Sequence, residues 1–231
     1  MIITIDGPAA SGKSSVSRKL AKKLGFYYLN TGLLYRAIAY LLINKCAYKE
    51  NQLKDPDPLD LKEYVDPKRL IYDFDQDYKE QIIFDRQNIT PFLKTSFIDK
   101  GASIVSTNKM VRDLLLDIQR VAAQRFNIVV DGRDTGSIVF PEADIKIFLT
   151  ASVKERAERW RKQQDAIGNV FSEEEAKHII EDRDKRDKER DIAPLIIPDN
   201  AIFLDDSKLT IDETLAKVMD FIKKTKMIES K

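Results

Sequence analysis

Four short apolar runs punctuate the chain, at residues 2–5, 128–130, 145–149 and 201–204. Each is too short for a helix and is bounded by polar or turn-forming residues, so each reads as a buried strand. Between these runs the period lengthens. From Ser14 onward Val16, Leu20, Ala21 and Leu24 recur at helical spacing, and over 32–44 Leu34, Ile38, Leu41 and Leu42 share a face, with Thr31 placed to cap its start. Further helices are predicted over 109–124, over a heavily charged 172–190, and over an amphipathic 211–224. Buried strands alternating with helices predict an α/β fold with a parallel sheet covered on both faces. Residues 47–66 break the pattern with Pro and Asp, and 69–75 and 81–85 then read as two short strands, so this stretch is expected to be an insertion. There is no internal repeat or low-complexity tract.

The first strand runs into Gly7-Pro8-Ala9-Ala10-Ser11-Gly12-Lys13-Ser14, which fits G-x-x-x-x-G-K-[ST] in the right setting, strand before and helix after. Such a loop turns successive backbone N–H groups inward, and with the helix N-terminus and the Lys13 ammonium it makes a concave positive site for the β- and γ-phosphates of a nucleotide. Gly7, Pro8, Ala9, Ala10, Ser11, Gly12, Lys13, Ser14 and Ser15 are therefore the candidate nucleotide-binding residues, ATP the expected phosphate donor, and the Ser14 hydroxyl the candidate Mg²⁺ ligand. Asn108-Lys109-Met110-Val111 lacks the carboxylate of a guanine-reading Asn-Lys-x-Asp, which argues against a regulatory GTPase. The four residues between Gly7 and Gly12 argue against a dinucleotide-binding dehydrogenase.

Composition narrows this further. A chain of 231 residues that is 43% hydrophobic is long enough to bury a sizeable core. Its 39 basic and 38 acidic residues leave a net charge of +1, so neither nucleic acid nor membrane is expected as a partner. Cys46 is the only cysteine, which excludes an internal disulfide and a cysteine-rich zinc site. No leader pattern opens the chain and no apolar run approaches the roughly 20 residues of a membrane span. A soluble, unprocessed, cytoplasmic protein is expected.

Arg183, Arg186 and Arg190 stand three and seven residues apart, which on a continuous helix places them within about 60° of one face. Spacing alone fits a solvated helix laced with ion pairs, because Asp182, Asp184, Asp187 and Glu189 alternate with them. Phosphoryl transfer offers a second reading, since its transition state is stabilised mainly by Arg, Lys and Mg²⁺. A phosphate monoester acceptor is already ionised near neutral pH and needs little general-base help. The single histidine, His178, accordingly reads as a surface residue.

Six stretches together resemble the bacterial cytidylate kinase family of nucleoside monophosphate kinases over nearly the whole chain. They are residues 3–8 with the phosphate loop, Asn30-Thr31-Gly32-Leu33-Leu34-Tyr35-Arg36, 103–112, Asp131-Gly132-Arg133-Asp134 with the following Gly136 and Val139-Phe140-Pro141, 183–195, and 201–206. The resemblance implies phosphorylation of CMP and dCMP. It implies that Ser103, Arg112 and Asp134 hold cytosine, that Arg36, Arg133 and Arg190 hold the acceptor phosphate, and that Thr31 and Asp187 bind ribose hydroxyls with Arg183 beside Asp187. Arg186 would reach the ATP phosphates, so the catalytic set is Lys13, Arg133, Arg186 and Arg190. Taken singly, Thr31 as a helix cap, Ser103 as a packed hydroxyl and the aspartates as arginine partners are competing structural readings. The implied organisation is a single P-loop domain over 1–231, with a core of about 1–46, 98–152 and 195–231, an acceptor-binding insertion of about 47–97 and a helical lid of about 153–194. A monomer is expected.

Three positions depart from the family pattern: Asn30 stands where Asp is common, Ala10 where Gly is frequent, and Lys94 where Arg is usual. Lys94 cannot reproduce a bidentate guanidinium fork. The rival readings are a kinase for AMP, UMP, dTMP or shikimate, and a non-catalytic nucleotide-binding switch.

Overall fold

A computed structural model describes residues 1–124 and 126–229, and the chain divides into two units: Met1–Phe26 with the chain from Val129 onward, and Tyr27–Ile128. In the first unit four strands lie in the order β6 (Ile128–Gly132), β1 (Ile2–Asp6), β7 (Ile145–Thr150) and β8 (Ile202–Asp205). β1 pairs in parallel with β7, Ile3 opposite Ile145 and Asp6 opposite Phe148, and β7 pairs in parallel with β8. Ile3, Ile5, Val129, Val130, Ile147 and Leu149 are buried, as expected for strands read from short, mainly apolar runs.

Helix α1 (Lys13–Leu24) follows β1 through the phosphate loop, burying Val16, Leu20 and Ala21, and ends at Gly25 in the left-handed region with Lys22 and Lys23 in its last turn. Gly7 tolerates no other residue, because an added Cβ would lie 1.9 Å from the Leu149 carbonyl oxygen of β7. The charged segment after β7 forms two packed helices, α6 (Val153–Asp165), capped by Ser152, and α7 (Glu173–Glu189), opened by a reciprocal capping box between Ser172 and Glu175. Helix α8 (Ile211–Glu229) packs on α1.

The second unit opens with β2 (Tyr27–Asn30) and α2 (Thr31–Cys46), a helix that buries Leu34, Ile38, Leu41 and Leu42. Asn30, not Thr31, occupies the capping position of α2 and makes no side-chain cap bond; Thr31 is the first helical residue. The expected insertion holds helix α3 (Pro58–Tyr64), begun by an Asp57 cap, and an antiparallel sheet of β3 (Leu70–Phe74), β4 (Glu80–Phe84) and β5 (Gln87–Asn88). Leu70 and Tyr72 face Phe84 and Ile82 across the first pair, all four buried. Helix α4 (Ser96–Val105) lies against α2, and α5 (Lys109–Gln124) packs on β3. Among the described residues no helix is long and apolar enough to cross a membrane.

Candidate active site

The expected site residues fall into two groups, one on each unit. In the first unit, β1 delivers the phosphate loop and β6 delivers Asp131, Gly132, Arg133 and Asp134. The Lys13 ammonium folds back over the loop, donating to the Pro8 carbonyl at 2.6 Å and to Ser11 Oγ at 3.3 Å. Burial pushes its pKa well below the ordinary lysine value, and the Arg133 charge adds to this against the opposing carboxylates of Asp131, Asp187 and Asp6.

The Ser14 hydroxyl donates to Asp131 Oδ2 at 2.6 Å. A hydroxyl and a carboxylate side by side at the mouth of a phosphate loop are hard oxygen ligands that suit Mg²⁺, which keeps several waters and needs few protein groups. Asp131 was not among the sequence candidates. Its signal was nonetheless present, as the carboxylate that ends the apolar run Ile128-Val129-Val130.

Asp187 of α7 accepts from Arg133 Nε at 2.6 Å. Burial alone would raise the Asp187 pKa, but the charges of Arg133, Arg190 and Arg183 and the Arg133 hydrogen bond hold it below the usual carboxylate value. Asp134 is only 5% exposed, and Arg190 Nη2 lies 3.7 Å from its Oδ1. Arg190 caps the C-terminus of α7, which stops at Glu189; its φ of −66° stays helical while its ψ of 137° turns the following chain away, and its Nε donates to the Ala193 carbonyl at 2.6 Å. Arg186 Nε is buried and makes no hydrogen bond among the described residues.

A further arginine, unnoticed in the sequence, ties α7 to the loop. Arg156 of α6 grips Asp184 of α7 with both terminal nitrogens, at 2.9 and 2.6 Å, and donates to the carbonyls of Ala151 and Ala9. Around it Ala9, Ala157, Trp160, Ala176 and Ile180 form a buried cluster, against which Ala10 also packs. Ala10 holds a φ of 55°. A side chain there costs roughly 1 kcal/mol of backbone strain relative to glycine, and its methyl gains apolar contact in return. Arg159 and Asp206 pair at 2.9 Å beside Gly12. His178 is exposed on α7, as expected.

In the second unit, Arg36 of α2 pairs with Asp99 of α4 at 2.6 Å. Arg112 of α5 donates to the Ser106 carbonyl at 3.0 Å and stacks its guanidinium over the Tyr35 ring at 5.4 Å, while Ser106 Oγ donates to the Ser103 carbonyl. Ser103, Ser106, Arg112 and Tyr35 thus form one cluster at the α4–α5 junction. Thr31 is buried, and Lys94 is exposed at the end of a short 3₁₀ turn.

The sequence model of the family described as Cytidylate kinase matches residues 3–224. A cytidylate kinase from Carboxydothermus hydrogenoformans is 39% identical over 222 residues, 96% of this chain and 97% of its own. One from Bacillus cereus is 37% identical over 221 residues, 95% of each chain. Among solved structures, an uncharacterized protein from Eubacterium ventriosum superposes with a TM-score of 0.51 at 13% identity, covering 96% of this chain and 98% of its own, a likeness of fold alone.

Proposed function

The chain belongs to the cytidylate kinase family, and from that premise we propose that it transfers the terminal phosphoryl group of ATP to CMP and dCMP, with Mg²⁺, in the cytoplasm. It is a nucleoside monophosphate kinase, and its family implies ATP as the donor. The choice of cytosine is carried by one observation: the nearly buried carboxylate of Asp134, set beside Arg133 and within reach of Arg190. A carboxylate accepts from the exocyclic amine of cytosine but opposes the O4 acceptor of uracil, so a dry Asp134 favours CMP over UMP.

In this reading the phosphate loop and Lys13 hold the donor phosphates, and Arg186 reaches them from α7. Ser103 and Arg112 join Asp134 in holding the base, and Thr31 and Asp187 take the ribose hydroxyls, with Arg183 beside Asp187. Arg36, Arg133 and Arg190 hold the acceptor phosphate, whose oxygen attacks without a general base. Asp99 and Asp187 keep Arg36 and Arg133 aimed until that phosphate arrives. Ser14 and Asp131 would hold Mg²⁺, which when bound offsets charge on the donor phosphates. Residues 153–194 act as a lid over the phosphate loop and residues 47–97 as an acceptor-binding insertion. The molecule works as a monomer.

The test is a coupled assay of ADP formation with ATP and Mg²⁺, presenting CMP, dCMP, UMP, AMP, dTMP and shikimate separately. Strong preference for CMP or dCMP supports the reading, another preferred acceptor overturns the base assignment, and no turnover favours a nucleotide-binding switch. Asp134→Asn should lower the CMP-to-UMP ratio of kcat/KM by about tenfold to a hundredfold while ATP binding holds. An unchanged ratio would remove Asp134 from base recognition.

A further inference from the structure

We infer that Asp6 is a positioning residue for the acceptor: it fixes the turn that carries Arg133 and Asp134, and thereby sets which base that turn admits. The inference rests on the base-reading role proposed for Asp134. Asp6 ends β1, is fully buried, and stands immediately before the phosphate loop. Its Oδ1 accepts from the Thr135 main-chain N–H at 2.8 Å and from the Thr135 hydroxyl at 2.7 Å, and its Oδ2 accepts from the Gly136 N–H at 2.7 Å. Hydrogen bonds to an ionised acceptor are about twice as strong as neutral ones, and three converge here from residues 129 and 130 positions away.

The held segment is a π-helical turn, Thr135–Val139, entered through Asp134 at φ −143° and ψ 22°. The Asp134 carbonyl accepts from the N–H groups of Ile138 and Val139, so its main chain is pinned on one side by the turn and on the other by the grip of Asp6 on Thr135. Packing leaves the turn little room to drift. A Cβ at Gly136 would meet Thr4 Oγ1 at 2.7 Å, Asp6 Oδ2 at 3.1 Å and Pro198 Cγ at 3.1 Å. Burial raises the Asp6 pKa to about 6, against the pull of these donors, so the carboxylate is kept at an electrostatic cost that an inert apolar residue would avoid.

One side chain therefore spans the loop proposed for donor phosphates, which starts at Gly7, and the turn proposed to read the acceptor. Displacement of reacting groups by about 1 Å costs about a hundredfold in rate. Asp6→Asn keeps the shape but sets a donor amide against one side of this donor set. It should lower kcat/KM for CMP by about a hundredfold and the CMP-to-UMP ratio by about tenfold.

Because Asp6→Asn could fail to fold, Thr135→Val removes only the hydroxyl donor and keeps both main-chain bonds; it should lower the ratio about threefold, and Thr135→Ser should restore it. A purely structural Asp6 would depress the thermal midpoint and treat both acceptors alike. An unchanged ratio in Thr135→Val, or in folded Asp6→Asn, overturns the inference. If Asp134→Asn also leaves the ratio unchanged, the base-reading role falls with it; if only Asp134→Asn shifts the ratio, the positioning role alone is lost.

Discussion

Lys13→Met should lower kcat/KM for acceptor phosphorylation at least about 10³-fold while leaving the thermal midpoint within a few degrees of the parent. The asymmetry follows from where the ammonium sits. It is 5% exposed and bonded to Pro8 and Ser11, so folding has already removed most of its water. Burial and the Arg133 charge both work against its protonated form, and a phosphate chain in the loop would supply the counter-charge that its own loop contacts do not. Methionine matches the length of the stem and removes a costly buried charge, so little stability is lost. What disappears is a cation placed in advance where charge develops during transfer. Steady-state kinetics beside calorimetry would decide the matter, and activity retained above one part in ten would remove Lys13 from catalysis.

Arg156→Ala should cost about 3–5 kcal/mol of stability, the range for breaking a buried pair by removing one partner. At about 2–4 °C per kcal/mol for a chain of this size, the thermal midpoint should fall by roughly 10 °C. Arg156 is 3% exposed, and its loss would strand the carboxylate of Asp184 in the same dry cluster while freeing the carbonyls of Ala9 and Ala151. Lysine at this position should rescue little, because one ammonium cannot serve the forked contact to Asp184 together with two carbonyls. Replacing Arg156 and Asp184 together by apolar residues should recover much of the loss. A midpoint within about 3 °C in Arg156→Ala would mean that α7 is secured by its apolar contacts alone.

The strands of the first unit, the phosphate loop and helices α1, α2, α5, α7 and α8 were legible because each carries its own local pattern. Helix α6 was not, and the reason lies in its inner face: Arg156, Ala157 and Trp160 are the residues it buries, so hydropathy sees almost nothing to bury. Helix α4 was blurred by Gly101, whose missing side chain admits Ala39 and Leu53 at 3.2 Å from the vacant Cβ position. The strand β2, Tyr27-Tyr28-Leu29-Asn30, holds one aliphatic residue and so offers no apolar run to read. At the site, arginines and carboxylates could be named from motifs, but their pairing could not. Arg133 with Asp187, Arg36 with Asp99 and Asp6 with Thr135 join residues 54, 63 and 129 positions apart. Arg190, at the C-terminal cap of α7, adds a bond to the Ala193 carbonyl that helical spacing alone does not show.

The cluster beneath the phosphate loop also gives the chain a built-in optical probe. Trp160 is the only tryptophan, is 8% exposed, and packs against Phe171 with ring centroids 4.8 Å apart in the same buried group as Ala9. Indole emission therefore comes from a single known place, the junction of the phosphate loop with α6 and α7. A shift in its wavelength or intensity during an ATP titration would follow events at that junction in real time, with no label attached and no second fluorophore of its kind to subtract.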